Sequence, residues 1–301
     1  MFRGSITALI TPFKKDKVDE RAFQEFVNWQ IAEGTHGLVP CGTTGESPTL
    51  SHEEHHRVVE LCVEVAKGRV PVIAGTGSNS TAECIELTKR AKKAGADAAL
   101  IVTPYYNKPT QDGLILHYLS VANSVDLPII IYNIPGRCVI DMSIQTMEKL
   151  AEHENIIGVK DATNDLARPA KLRLSLGEQF CQLSGEDATA VPFLAQGGVG
   201  CISVTANVAP RLCSQLQDAW HLGAFEDVFR VRDILTPLHE AMFLETNPAP
   251  VKFAASLLGK CAPDVRPPLS PLKVKTKARV EEAMRGAGLL NYGDDMAEDL
   301  M

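Results

Sequence analysis

Short apolar runs and longer helical patterns alternate eight times along the chain, and that rhythm leaves few folds open. The strand-like runs fall at 5–11, 36–41, 71–74, 98–103, 128–133, 156–161, 180–185 and 201–205. They are apolar and short, as fully buried parallel strands are. Between the first two, Phe23, Phe26, Val27 and Ile31 share one helical face. Ser51, with Glu54 three residues on, has the pattern of a capping box opening a second helix, and 81–94 reads as a third. Eight units in about 220 residues match a (β/α)8 TIM barrel in count and length. A doubly wound open sheet also alternates but seldom reaches eight such even units. From Phe225 the alternation stops: Phe225, Val228, Phe229, Leu235 and Leu238 keep helical spacing, and 249–258 and 276–286 read as helices. The expected architecture is α/β, with a barrel over 1–224 and a C-terminal helical subdomain over 225–301. A loose acidic tail is expected from about 291.

Composition removes several classes of function. A formal charge of −7 with no long basic run argues against nucleic acid as a partner. The densest basic stretch, 273–277, reads as a solvated helix start. No apolar run approaches membrane-spanning length, and 1–10 lacks the order of a signal peptide, so a cytoplasmic protein without a membrane partner is expected. Cysteines at 41, 62, 84, 138, 181, 201, 213 and 261 form no Cys-x-x-Cys pair, which argues against zinc and against a disulfide framework.

One residue is out of place in this pattern. Lys160 stands near the carboxyl end of the run Ile156-Ile157-Gly158-Val159-Lys160-Asp161, where a buried ammonium is expensive. Burial of a lysine favours the neutral amine that attacks a carbonyl. The bland reading is a Lys that reaches past the strand into water or pairs with Asp161. Tyr132 ends the neighbouring strand, about 4.8 Å away, where a phenol can exchange protons with an amine or a substrate oxygen. Its alternative is a wall residue with a satisfied hydroxyl. Thr43 and a second Tyr could extend Tyr132 into a hydrogen-bonded chain. The turn Gly42-Thr43-Thr44-Gly45-Glu46 can aim backbone N–H groups at a carboxylate, and Arg137 could clamp one in a bidentate way. A surface ion pair is the alternative for Arg137. These residues all follow strand ends, on the face where such barrels carry their sites.

Two other patterns carry less. His52-Glu53-Glu54-His55-His56 matches H-E-x-x-H, but it lies in the first turn after Ser51 and has no evident third ligand, so no metal is expected. Gly75-Thr76-Gly77 lacks the third glycine of a dinucleotide fingerprint. On these residues a Schiff-base lyase explains Lys160, Tyr132 and Arg137 together. A metal hydrolase explains only the His52 cluster, and a non-catalytic binding barrel explains clustered polar groups without chemistry.

Taken together, the motifs resemble one family: the dihydrodipicolinate synthase / N-acetylneuraminate lyase group of Schiff-base-forming class I pyruvate aldolases. The resemblance runs from Phe2 to about Leu290 and includes GTTGESPTL, PVIAGTGSNST, VTPYYNKPTQDGL, YNIPGR, IIGVKDAT, LSGEDA, ISVTANV and NPAPVK. It implies a (β/α)8 barrel, a homotetramer built as a dimer of dimers, and no cofactor. It implies that Lys160 forms the Schiff base with pyruvate and that Tyr132 is the proton donor and acceptor. Thr43 would link Tyr132 to Tyr106 of a neighbouring subunit. Thr44 and the backbone at Ile202 would hold the pyruvate carboxylate, with Gly185 also at the substrate. Arg137 would bind the carboxylate of L-aspartate 4-semialdehyde. Arg after Tyr-Asn-x-Pro, and the second Tyr of Tyr105-Tyr106, resemble the synthase branch; a sister aldolase acting on N-acetylneuraminate or a sugar-derived 2-keto acid is the rival. Lysine-sensitive members carry a feedback site at the dimer interface, and the matching positions are Ser47, Pro48, His52, His55, Asn79, Glu83 and Tyr105. Pro48 stands where several sensitive relatives have Ala.

Overall fold

The computed structural model describes residues 2–291, so the expected tail from about 291 lies almost wholly outside the described residues. Eight parallel strands form one sheet: β1 (Gly4–Ala8), β4 (Gly37–Val39), β5 (Ile73–Gly75), β6 (Ala98–Val102), β7 (Ile129–Asn133), β8 (Ile156–Asp161), β9 (Cys181–Ser184) and β10 (Gly200–Ser203). The order β4-β1-β10-β9-β8-β7-β6-β5 has its two ends joined by a parallel bridge between Leu38 and Val72. The Gly75 amide completes the closure by donating to Pro40 O at 2.9 Å. The result is a closed barrel, which leaves no sheet edge unpaired.

Period-two alternation sorts the strand residues into two cores. Ile6, Ala8, Val39, Ile73, Ala98, Leu100, Ile130, Leu183 and Ile202 fill the barrel interior, and Tyr132 shares that layer. Ile129, Ile131 and Val159 face outward into the larger core beneath the helices. That core meets α1 (Glu20–Ala32) through Phe23, Phe26 and Val27, and α2 (His52–Ala66) through Val58, Leu61 and Cys62. The expected capping box is present: Ser51 Oγ accepts from the Glu54 amide and Glu54 accepts from the Ser51 amide. The ring continues through α3 (Thr81–Ala94), α4 (Gln111–Ser124), a short α5 (Pro135–Cys138), α6 (Ile144–Ala151), α7 (Arg168–Leu176), α8 (Ala190–Ala195) and α9 (Pro210–His221).

The first strand is shorter than expected. Beyond Ala8 the chain leaves the sheet, and the Ile10 amide donates to Asn207 Oδ1 at 2.9 Å. It then forms a small hairpin, β2 (Phe13–Lys14) and β3 (Lys17–Val18), that the sequence pattern did not announce. Its turn is Lys15-Asp16 at φ 51° and 61°, a conformation usually signalled by Asn-Gly.

After the barrel come α10 (Phe225–Ala241), α11 (Ala249–Leu257) and α12 (Val274–Gly286). α10 packs on α9 and on α12, and α11 packs on α12. This helical segment is tied back to the barrel: His239 Nδ1 lies 2.8 Å from Thr205 Oγ1, and Lys252 Nζ lies 2.7 Å from Glu46 Oε1. All eight cysteines are free, and seven are buried. Among the described residues no helix is long and apolar enough to cross a membrane.

Candidate active site

The register of β7 and β8 builds the centre of the site. Tyr132 pairs with Lys160 across the two strands, and Asn133 with Asp161. Paired residues share a face of the sheet, so Lys160 turns inward beside Tyr132. Its Nζ lies 4.0 Å from the centroid of the Tyr132 ring, and both side chains are 6% exposed. The bland reading of Lys160 is a side chain that reaches past the strand into water or pairs with Asp161; Lys160 is buried, and the structure gives that carboxylate other work. Asp161 Oδ1 accepts from the Thr163 amide at 2.8 Å and hydroxyl at 2.6 Å, and Oδ2 accepts from Arg168 Nε at 3.2 Å. Among the described residues no carboxylate forms an ion pair with Lys160, and none hydrogen-bonds the Tyr132 hydroxyl.

Gly185 explains its own residue type. A Cβ there would lie 2.8 Å from Ala162 Cβ, 3.1 Å from Asp161 O and 3.2 Å from Lys160 Cε, so a side chain would press on the lysine arm. Ile202 lies in β10, 1% exposed, and pairs with Ile6. Thr44 is buried, and its Oγ1 accepts from Asn247 Nδ2 at 3.0 Å. Arg137 sits in α5 and donates through Nη2 to Asn247 O at 3.4 Å; among the described residues it has no ion pair. Its guanidinium is thus open toward the cavity.

Thr43, Tyr132 and Arg137 line a cavity of about 400 Å³. Its walls also carry Ser47, Pro48, His52, His55, Glu83 and Tyr105, so the two sets of residues singled out in the sequence meet in one space. Lys160, whose Nζ rests on the Tyr132 ring, is not part of this wall, and neither are Thr44, Gly185 and Ile202. Asn79 is outside it as well, and its carbonyl accepts from Asn107 Nδ2 at 2.8 Å. Tyr106 is 90% exposed, at φ 70°, and is not brought to the site within this chain.

The electrostatics of the second set are specific. His52 Nε2 lies 2.8 Å from Glu83 Oε1, and Ser78 Oγ donates to Glu83 Oε2. The Ser78 bond is the main cause that holds the Glu83 carboxyl below its usual range. His55 Nε2 donates to Gly75 O at 2.8 Å, and its buried Nδ1 has no partner. Burial pushes the His55 imidazole down to about 4. Burial, then Glu83, pushes the Tyr105 phenol up. The H-E-x-x-H run therefore serves a helix cap, a pair with Glu83 and a carbonyl contact. Among the described residues no group of three or more His, Cys, Asp or Glu is placed to hold a metal.

Sequence reading missed four residues here. Glu186, half-buried next to Gly185, has its carboxyl pushed up by burial and then by Asp187, against the pull of Lys160. Asp187 accepts from Ser203 Oγ at 2.5 Å and from the amides of Val204 at 2.8 Å and Thr205 at 3.1 Å, which ties the end of β9 to the end of β10. Asn247 and Lys252 reach the site from the far end of the chain. Both pairs lie in runs that carry the family resemblance, LSGEDA and NPAPVK, but no role is read for them there: Asn247 stands in the turn before α11 and Lys252 within that helix.

Fold and site define a class: a (β/α)8-barrel lyase of the Schiff-base, class I aldolase type. The chain belongs to the dihydrodipicolinate synthetase family, whose model matches residues 1–287. It is 68% identical over 290 residues to the 4-hydroxy-tetrahydrodipicolinate synthase of Rhodospirillum centenum, covering 96% of this chain and 100% of that one. Among solved structures it is similar to the chloride-inhibited dihydrodipicolinate synthase from Acinetobacter baumannii complexed with pyruvate (TM-score 0.94, 45% identity, 96% and 100% of the two chains). It is also similar to the enzyme from Cyanidioschyzon merolae with lysine bound (TM-score 0.93, 38% identity, 96% and 99%).

Proposed function

We propose that this chain condenses pyruvate with L-aspartate 4-semialdehyde to (S)-4-hydroxy-2,3,4,5-tetrahydrodipicolinate, a step of the diaminopimelate route to L-lysine. The observation that carries the reading is Lys160 set against Tyr132 across β7 and β8, with Asp161 committed to Arg168. The Lys160 amine attacks C2 of pyruvate, and the carbinolamine loses water to give the imine. Tyr132 supplies and recovers the protons that these steps need. Loss of a C3 proton gives the enamine, whose C3 attacks the aldehyde carbon, and the new alkoxide takes a proton through Tyr132. The aspartate-derived amine then adds to C2 and displaces Lys160 as the ring closes.

The remaining roles follow the polarity of the two substrates. Thr44 and the Ile202 backbone hold the pyruvate carboxylate, with Gly185 keeping the lysine arm clear. Arg137, exposed at the cavity mouth and free of any ion pair among the described residues, receives the semialdehyde carboxylate. Thr43 passes protons between Tyr132 and Tyr106 of a neighbouring subunit, which makes a homotetramer the working form. Residues 225–291 are assigned as a helical subdomain and the protein to the cytoplasm. L-Lysine is assigned as a feedback inhibitor: Glu83 and His52 suit an ammonium, and Ser47, His55, Asn79 and Tyr105 supply further polar contacts. The lysine-bound state of the Cyanidioschyzon merolae enzyme supports this assignment.

A coupled assay with both substrates tests the reading, with N-acetylneuraminate and 2-keto-3-deoxy sugar acids as competing substrates. Turnover of the pyruvate and semialdehyde pair alone is expected; preference for a sugar acid would move the chain to a sister activity. An unchanged rate at millimolar lysine would remove the feedback assignment and leave the condensation standing.

A further inference from the structure

The loop at 42–46 does not owe its shape to its own bonds alone. It closes through three turn hydrogen bonds, Gly45 N to Gly42 O at 3.1 Å, Glu46 N to Thr43 O at 3.2 Å and Ser47 N to Gly42 O at 3.5 Å. Two residues with side chains, Cys41 and Glu46, are both held at φ 55°, a left-handed conformation that such residues adopt only when surroundings impose it. Gly45 packs so closely that a Cβ there would meet Cys41 N and Leu9 O at 3.1 Å.

Part of the surroundings lies just after β1, where Thr11 Oγ1 donates to Gly45 O at 2.7 Å; the rest comes from the helical segment after the barrel. Both oxygens of Glu46 are engaged: Oε1 by Lys252 Nζ at 2.7 Å, and Oε2 by the Arg266 amide at 2.9 Å. The Lys252 and Glu46 side chains are 0% and 1% exposed, and Lys252 Nζ sits 4.0 Å over the Phe13 ring. A buried ion pair of this kind is a weak stabiliser, because an apolar pair of similar volume often does as well or better. Its use here is geometric. Next to it, Asn247 Nδ2 donates to Thr44 Oγ1, while Asn247 O accepts from Arg137 Nη2. An accepting bond at Thr44 Oγ1 turns the Thr44 hydroxyl proton toward another acceptor, and a substrate carboxylate is such an acceptor.

We propose that the buried Glu46–Lys252 pair, with Asn247 beside it, positions the 42–46 loop and Arg137 for the two substrate carboxylates. The inference rests on the condensation proposed above and adds to it a role for the segment beyond the barrel. Lys252 and Glu46 touch no substrate. They set where Thr43 and Thr44 stand, so their loss weakens pyruvate capture more than it slows the chemistry.

The test is the double variant Glu46→Gln/Lys252→Met, which removes both charges and keeps the volume. Thermal unfolding establishes that it folds, and borohydride trapping over a pyruvate titration reads capture alongside steady-state KM and kcat. The expected result is a melting temperature near wild type and a pyruvate half-saturation and KM raised about tenfold. The change in kcat is expected to stay within about threefold. A folded double variant with wild-type half-saturation and KM overturns the proposal. If the double variant does not fold, Asn247→Ala, which deletes the bond to Thr44, is read by the same measurements and the same criterion. Wild-type enzyme that traps no pyruvate would sink the condensation and this inference with it. Normal wild-type trapping with an unaltered variant counts against the positioning alone.

Discussion

A lysine in the wall of an apolar barrel and a tyrosine in the paired position on the next strand are the chemical core of this protein. The two are 4.0 Å apart, from Nζ to ring centre. Lys160→Ala is expected to lower kcat by several decades while leaving the fold intact, because it removes a nucleophile and no hydrogen bond that holds a strand. Steady-state kinetics with a thermal melt checks both halves. Tyr132→Phe keeps the ring against the lysine and deletes only the hydroxyl. It is expected to cost about 10²–10⁴ in kcat, the usual range for a positioned acid–base group, with far-ultraviolet dichroism unchanged. Activity close to wild type in that variant would assign the proton transfers elsewhere, with Glu186, whose carboxyl feels the charge of Lys160, a candidate. Buried histidines give a prediction in pH. His55 and His117 are both pushed down to about 4 by burial, against an ordinary value of 6.5. Their folded-state pKa is depressed, so the unfolded chain binds more protons between those values, and stability falls as pH drops from 6.5 toward 4. Urea unfolding at pH 7.5 and pH 5 should show a lower midpoint at pH 5, and His117→Phe should flatten part of that slope. A midpoint independent of pH over this window would contradict the assignment of both as buried neutral groups.

At the scale of elements, the barrel was written plainly and its ties were not. β8 and α3 fall where the apolar runs and helical spacing place them, at Ile156–Asp161 and Thr81–Ala94. Each strand is buried on both faces, so its run is continuous and bounded by turn residues. The capping box at Ser51 and Glu54 was legible because both partners lie within one turn. The hairpin at Phe13–Val18 was not, because Lys15-Asp16 takes a turn that composition rarely announces. Lys160, Tyr132 and Arg137 could be singled out because each breaks the pattern at a strand end. Lys252 ends the quoted run NPAPVK but nothing there gave it a role: Lys is ordinary in a helix, and only the tertiary structure puts this one in an apolar interior against a carboxylate 206 positions away. The same contact makes an element-scale prediction. Lys252→Ala leaves Glu46 charged, buried and unpaired, and is expected to destabilise the fold by about 3–5 kcal/mol, whereas removing both charges costs far less. Chemical denaturation of the single and double variants measures the difference, and equal losses would argue against the ion pair as drawn.

At the scale of the whole molecule, one residue does not fit inside a single chain. Tyr106 is 90% exposed and strained at φ 70°, although its neighbour Tyr105 lines the cavity. The site shared between chains that is proposed above would account for both observations. Co-expressed Tyr106→Phe and Lys160→Ala chains, each weak alone, are expected to recover about a quarter of wild-type activity, since half of randomly mixed pairs carry one intact site of two. No recovery would place the function of Tyr106, if it has one, within its own chain. The claim beneath the catalytic expectations is that Lys160 becomes covalently bound to pyruvate. Borohydride reduction in the presence of pyruvate, followed by peptide mass spectrometry, measures it directly. The account predicts one pyruvate-derived adduct on Lys160, absent from Lys160→Ala. An adduct on another lysine, such as the fully buried Lys252, or no adduct at all, would contradict it.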